Sequence, residues 1–150
     1  MKTSNKKQLL SIFRKDPILE RTISRLTKGG EKSKATKILS KVLRKIPSTS
    51  TLIRAVQNSQ PFLEVRSVRA SRMTRQIPIG IPTNRQEGIA IRWLLDAART
   101  KKKSSSLHFA NLLQHEVEEA ANWKGSVITR RNELHKLANA NRVFARTRWW

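Results

Sequence analysis

Apolar residues in the first third of the chain recur at helical spacing. Leu19, Ile23 and Leu26 stand three and four residues apart between Asp16-Pro17 and Gly29-Gly30. The pattern predicts a helix with proline at its first position, stopped by the two glycines. From Ser33 a longer stripe predicts a second helix: Ala35, Ile38, Leu39, Val42, Leu43 and Ile46 mark one face, and Lys32, Lys34, Lys37, Lys41, Arg44 and Lys45 hold the other. A break from Pro47 to Ser50 precedes a short third helix over residues 51–58, which Pro61 ends.

The period then changes to two. Leu63, Val65 and Ser67 alternate with Glu64, Arg66 and Val68, and Ile77, Ile79 and Ile81 alternate with Pro78 and Gly80. Two extended runs flanking Ala70 to Met73 predict a β-hairpin over about residues 62–82. Pro78 and Pro82 restrict its second strand to an edge. A ribbon of two strands is too small to form a sheet domain alone. Helical spacing returns after Asn84, the expected cap of a fourth helix with Ile91, Leu94, Leu95 and Ala98 inward and a basic end at Arg99 and Lys101 to Lys103. Beyond Ser104 to Ser106, a fifth helix turns Phe109, Leu112, Leu113, Val117, Ala120 and Ala121 inward and stops at Gly125. A sixth, over about residues 127–139, is expected to bury Leu134, Leu137 and Ala138. A basic tail follows, with Arg142, Arg146 and Arg148 interleaved with Phe144, Trp149 and Trp150. The prediction is a mainly α, six-helix single domain over residues 16–150 with a protruding two-stranded β-hairpin, preceded by a basic arm at residues 1–15.

Charge changes this picture more than any motif does. Lysine and arginine total 32 against 10 acidic residues in a chain of 150, a formal +22. Such a body repels itself and calls for a polyanionic partner. Nucleic acid is the usual one, because each neutralised phosphate releases counterions. A membrane is not expected. The most apolar stretch, Ile89 to Ala98, is interrupted by Arg92 and Asp96, far short of the roughly 18 apolar residues a spanning helix needs. With no cysteine there is no disulfide, thiolate metal site or cysteine nucleophile. Residues 1–15 hold five lysines or arginines and no acid. They read as an RNA-contacting arm, with a mitochondrial presequence as the alternative.

The residue types that carry catalysis do not assemble. His108 and His115 are seven residues apart, where a helical zinc pair needs four. His135 has Glu133 two residues before it, which points elsewhere on a helix, so all three histidines read as surface or RNA-contacting. Glu116, Glu118 and Glu119 read as a solvated acidic face, or a negative patch for a protein neighbour. Gly29-Gly30 before Lys32-Ser33 lacks the spacing of a phosphate-binding loop. No enzyme, metal or cofactor is expected. Cations spread over helix faces, ribbon and termini also differ from a helix-turn-helix protein, which concentrates its reading residues on one helix. The spread suits a protein embedded in folded RNA.

Several blocks resemble one family. "EVRS" at 64–67, "RQIPIGI" at 75–81, "AIRWLLDAAR" at 90–99 and "NELHKLANANRVFARTRWW" at 132–150 are similar to ribosomal protein seven of the small subunit, and "KGGEKSKA" at 28–35 agrees in layout. The resemblance implies six helices with a protruding hairpin and binding to the 3′ major domain of small-subunit ribosomal RNA. It also implies nucleation of head assembly, a place near the exit-site tRNA and the messenger path, and neighbouring small-subunit proteins as partners. Carried over by position, Lys28, Lys32, Lys34, Arg66, Arg69, Arg85, Arg92, Lys101, Lys102, Arg130, Arg131, Arg142, Arg146 and Arg148 become expected RNA contacts. Ser71, Arg72 and Arg75 become the residues expected near tRNA and messenger. Relatives usually carry two glycines where this chain has Ser71-Arg72, and an aromatic where it has Arg75, so the chain departs from the family at the hairpin tip. The Trp149-Trp150 pair resembles mitochondrial relatives of plants and algae. A mitochondrial ribosome is therefore expected, with a plastid or bacterial one as the alternative.

Overall fold

The computed structural model describes residues 16–70 and 73–146. Six helices and one ribbon appear in the predicted order: α1 (Pro17–Leu26), α2 (Lys32–Leu43), α3 (Thr49–Ser59), β1 (Leu63–Ala70), β2 (Met73–Gly80), α4 (Thr83–Ser104), α5 (Phe109–Ala121) and α6 (Ser126–Ala140). A 3-10 turn over Arg142–Arg146 follows α6.

Local chemistry sets most of the ends and corrects some predicted ones. α1 starts with Pro17 in its first turn, and the Asp16 carbonyl accepts the Glu20 N–H at 3.2 Å, while the Asp16 side chain makes no capping bond. Gly29 and Gly30 take φ of 57° and 77°, left-handed values that let the chain reverse into α2 without a Cβ penalty. α2 opens at Lys32, one residue before Ser33. α3 opens at Thr49 rather than residue 51, because the Ser48 hydroxyl accepts the Ser50 N–H at 3.3 Å and turns the break itself into a cap. Asn84 is not the cap of α4. The Pro82 carbonyl takes that place, accepting the N–H groups of Arg85 and Gln86 at 2.9 and 3.1 Å.

α5 is the central helix and packs against α2, α3, α4 and α6. Around it Leu19, Leu39, Val42, Leu52, Val56, Ile91, Leu95, Leu113 and Val117 form one core with the other inward residues. Burying each such side chain contributes on the order of 1.5–3 kcal/mol. α6 departs from the expected pattern. It buries Val127, Ile128 and Ala138, whereas Leu134 is half-buried and Leu137 is 43% exposed. Only its first turn joins the core; farther along it lies against the ribbon and the 3-10 turn.

The strands pair antiparallel, one residue to one, from Leu63 opposite Gly80 to Ala70 opposite Met73. Ile81 N–H donates to the Phe62 carbonyl at 3.0 Å, closing the ribbon's base. Ile77 is buried outside the main core, on the side where β2 meets α6 and the 3-10 turn. Among the described residues no helix is long and apolar enough to cross a membrane.

Candidate nucleic-acid interface

Exposed lysine or arginine occurs on every described element except α5, which has none of either. Lys28, Lys32 and Lys34 are exposed around the α1–α2 turn, with Lys34 donating to Glu31 at 2.5 Å. Arg66 and Arg69 are exposed on β1. Glu64 accepts from Arg66 Nε and Arg85 Nη2, both at 2.8 Å, and so ties a ribbon arginine to the first turn of α4. Arg75 is exposed on β2, its guanidinium 5.5 Å from the centre of the Phe144 ring. Arg92, Lys102, Arg130, Arg142 and Arg146 are exposed. Ser71, Arg72 and Arg148, and the arm at residues 1–15, lie outside the described residues.

The fold gathers some of these cations into concave surfaces. Arg85 and Arg92 of α4 share a cleft with Arg25 of α1, lined also by Asn84, Gly88 and Ile89. Arg25 Nη2 reaches close over the Gly88 backbone, 3.6 Å from where a Cβ would stand. Arg25 was not among the predicted contacts, since only the packing of α1 on α4 brings it there. A second, wider pocket of about 510 Å³ lies between α2 and the start of α5, where Lys41, Arg44 and Lys45 meet His108 and Asn111. Lys45 Nζ donates to Asn111 Oδ1 at 2.6 Å.

Two predicted contacts are held by buried protein groups, Glu116 and Asn58. Lys101 pairs with Glu116 and lies 3.4 Å from Glu119. The Glu116 hydrogen bond, opposed by partial burial, holds the Lys101 ammonium charged above its ordinary range. Glu116 is 1% exposed, which corrects its reading as part of a solvated face. Spacing along one helix cannot reveal a counter-ion arriving from α4. His115, Glu116 and Glu119 do bring ligand atoms within 4.8 Å of one another, but the Lys101 ammonium already lies against both carboxylates. Arg131 donates through Nη1 to the Asn58 carbonyl at 2.7 Å and lies 4.9 Å from the centre of the Trp123 ring, and burial pushes its pKa down. Arg130 stands 5.0 Å over Trp93.

His135 is half-buried at the base of the ribbon. Its Nε2 accepts the Phe62 N–H at 3.1 Å, and its ring stacks on Phe62 with centroids 5.8 Å apart. Burial, and then the nearby Arg131 charge, lower its pKa. A neutral ring is what the bond requires, since protonated histidine has no acceptor.

A small helical body with a basic ribbon and cations on nearly every side belongs to the class of proteins built to sit among polyanions. The family model of ribosomal protein S7p/S5e matches residues 2–142, and the chain belongs to that family. It is 34% identical to the small ribosomal subunit protein uS7 of Pelagibacter ubique, over 96% of this chain and 97% of that protein. It is 41% identical to the small ribosomal subunit protein uS7m of Marchantia polymorpha over 81% of this chain, spanning 55% of that relative. The uS7m of Drosophila melanogaster is 34% identical over 89% of this chain and 70% of its own length. The family comprises structural proteins of the small ribosomal subunit and is not known for enzymes.

Proposed function

We propose that this protein is a structural constituent of the small subunit of a mitochondrial ribosome, where it binds the 3′ major domain of the ribosomal RNA and nucleates assembly of the head. The observation that carries the reading is the placement of exposed cations on every described element but the buried, acidic α5. A body charged on all sides is stabilised by enclosure in folded RNA, whose phosphates surround it, more than by one face laid on a duplex. Phosphate contacts then fix position, and RNA shape supplies the selectivity.

Within this reading the RNA contacts are Lys28, Lys32, Lys34, Arg66, Arg69, Arg85, Arg92, Lys102, Arg130, Arg142, Arg146 and Arg148, joined by Arg25 in the α1–α4 cleft. Lys101 and Arg131 act in part through the protein contacts they already make. The ribbon tip, with Ser71, Arg72 and Arg75, lies near the exit-site tRNA and the messenger. Residues 1–15 fall almost entirely within the family match, which supports reading them as an RNA-contacting arm. The mitochondrial assignment draws on the uS7m relatives, the Marchantia protein being 41% identical against 34% for the Pelagibacter one.

Sedimentation of organelle extract tests the proposal. The protein is expected to travel with small subunits and to leave them only at high salt. Recovery mainly with DNA, or in a light fraction free of ribosomal RNA, overturns it.

A further inference from the structure

The end of α5 contains a residue that its backbone does not favour. Lys124 N–H donates to the Glu119 carbonyl at 2.8 Å and Trp123 N–H to the Ala120 carbonyl at 3.2 Å. These are the paired bonds of a Schellman motif, whose left-handed position is usually glycine or asparagine. Trp123 occupies it at φ 59°. A bulky side chain there is a true outlier, and the indole is not buried in exchange, being 57% exposed.

The surroundings show what the exposed ring is ready for. Arg131 lies against the indole and is tethered to the Asn58 carbonyl. One turn farther along α6, on the same face, His135 stacks on Phe62, which is itself 61% exposed. Trp123, Arg131, His135 and Phe62 thus make a strip in which two exposed rings flank the Arg131 guanidinium and the His135 imidazole, and none of the four is a carboxylate. We propose that this strip is a stacking platform for unpaired RNA bases. The inference rests on the RNA-binding reading and adds base stacking to a surface otherwise equipped for phosphates. Aromatic and guanidinium planes held in place accept splayed bases of any sequence. A protein segment would instead need an apolar groove, and the polar Arg131 and His135 interrupt one.

The test uses the full chain, a transcript of the 3′ major domain of small-subunit RNA, and two variants. Trp123→Asn suits the left-handed backbone and removes the indole; Phe62→Leu keeps bulk and removes the ring. Each is expected to weaken binding roughly tenfold, with the slope of log affinity against log salt unchanged because no phosphate contact is lost. Ultraviolet crosslinking and mass spectrometry are expected to join Trp123 or Phe62 to an unpaired nucleotide. If the parent binds tightly and both variants match it, the platform is refuted while RNA binding stands. A variant that keeps its RNA affinity but loses a neighbouring protein from the assembled subunit also refutes it, in favour of a protein contact. A parent with no affinity for the transcript overturns the underlying reading itself.

Discussion

Leu39 and Ile77 are both almost fully buried, at 0% and 3% exposure, yet they sit in different kinds of structure. Leu39 belongs to a core shared by all six helices. Ile77 lies outside that core, in a ribbon otherwise held by polar and aromatic contacts that include Phe62 to His135, Glu64 to Arg85, Gln76 to Asn141 at 3.3 Å, and Arg75 over Phe144. The helical body is stabilised by apolar area and tolerates loss of a surface contact. The ribbon has little area to bury, so single contacts govern its position. Such an element is able to yield locally without unfolding the body.

The largest expected effect lies in the core. Leu39→Ala should cost about 2–5 kcal/mol and unfold the whole body at lower denaturant. Ile77→Ala should instead speed hydrogen exchange of ribbon amides while those of α5 keep their protection. Equal loss of protection in both regions would break the comparison. Next comes Lys101→Ala, which leaves the nearly buried Glu116 without its counter-ion. A loss of roughly 1–3 kcal/mol is expected by calorimetry, and adding Glu116→Gln should restore part of it. Third, changing Arg66 and Arg69 together to Ala should leave stability within about 0.5 kcal/mol. The same change should weaken RNA binding and lower its salt slope by about 1–2. Unchanged affinity in a filter-binding titration would remove β1 from the interface.

The smallest effect is a pH dependence at the ribbon base. His135 has a folded pKa below its ordinary 6.5, so as pH falls the unfolded chain takes up the proton first. Its contribution is full above about pH 6.5 and is lost as pH falls through the lower folded value. The Phe62 amide should therefore lose protection on acidification, and His135→Gln should flatten this response. A Phe62 amide indifferent to pH would show that the bond does not hold the ribbon.

This division also explains what could be read from the residues alone. The core helices announce themselves because one buried face repeats at helical period, as in Ala35, Leu39 and Val42. The ribbon was legible from alternation and its central Ala70 to Met73 segment. The buried face of α6 was not, because Leu134 and Leu137 keep helical spacing although the helix has already left the core. The Glu116–Lys101 pair, the Arg25 cleft and the Trp123–Arg131 stack join residues distant in sequence, and spacing carries no record of them. Trp123 had one local signal, the helix end before Gly125, which placed a stop but not the left-handed residue two positions earlier.

Competition between two polyanions tests the central claim most directly. The protein, bound to a transcript of the 3′ major domain, is challenged at matched salt with duplex DNA of equal phosphate content. Enclosure by folded RNA predicts that the transcript is retained, with a preference that persists as ionic strength rises. Equal affinity for both, or a preference that vanishes at modest salt, would contradict it and leave only unselective charge.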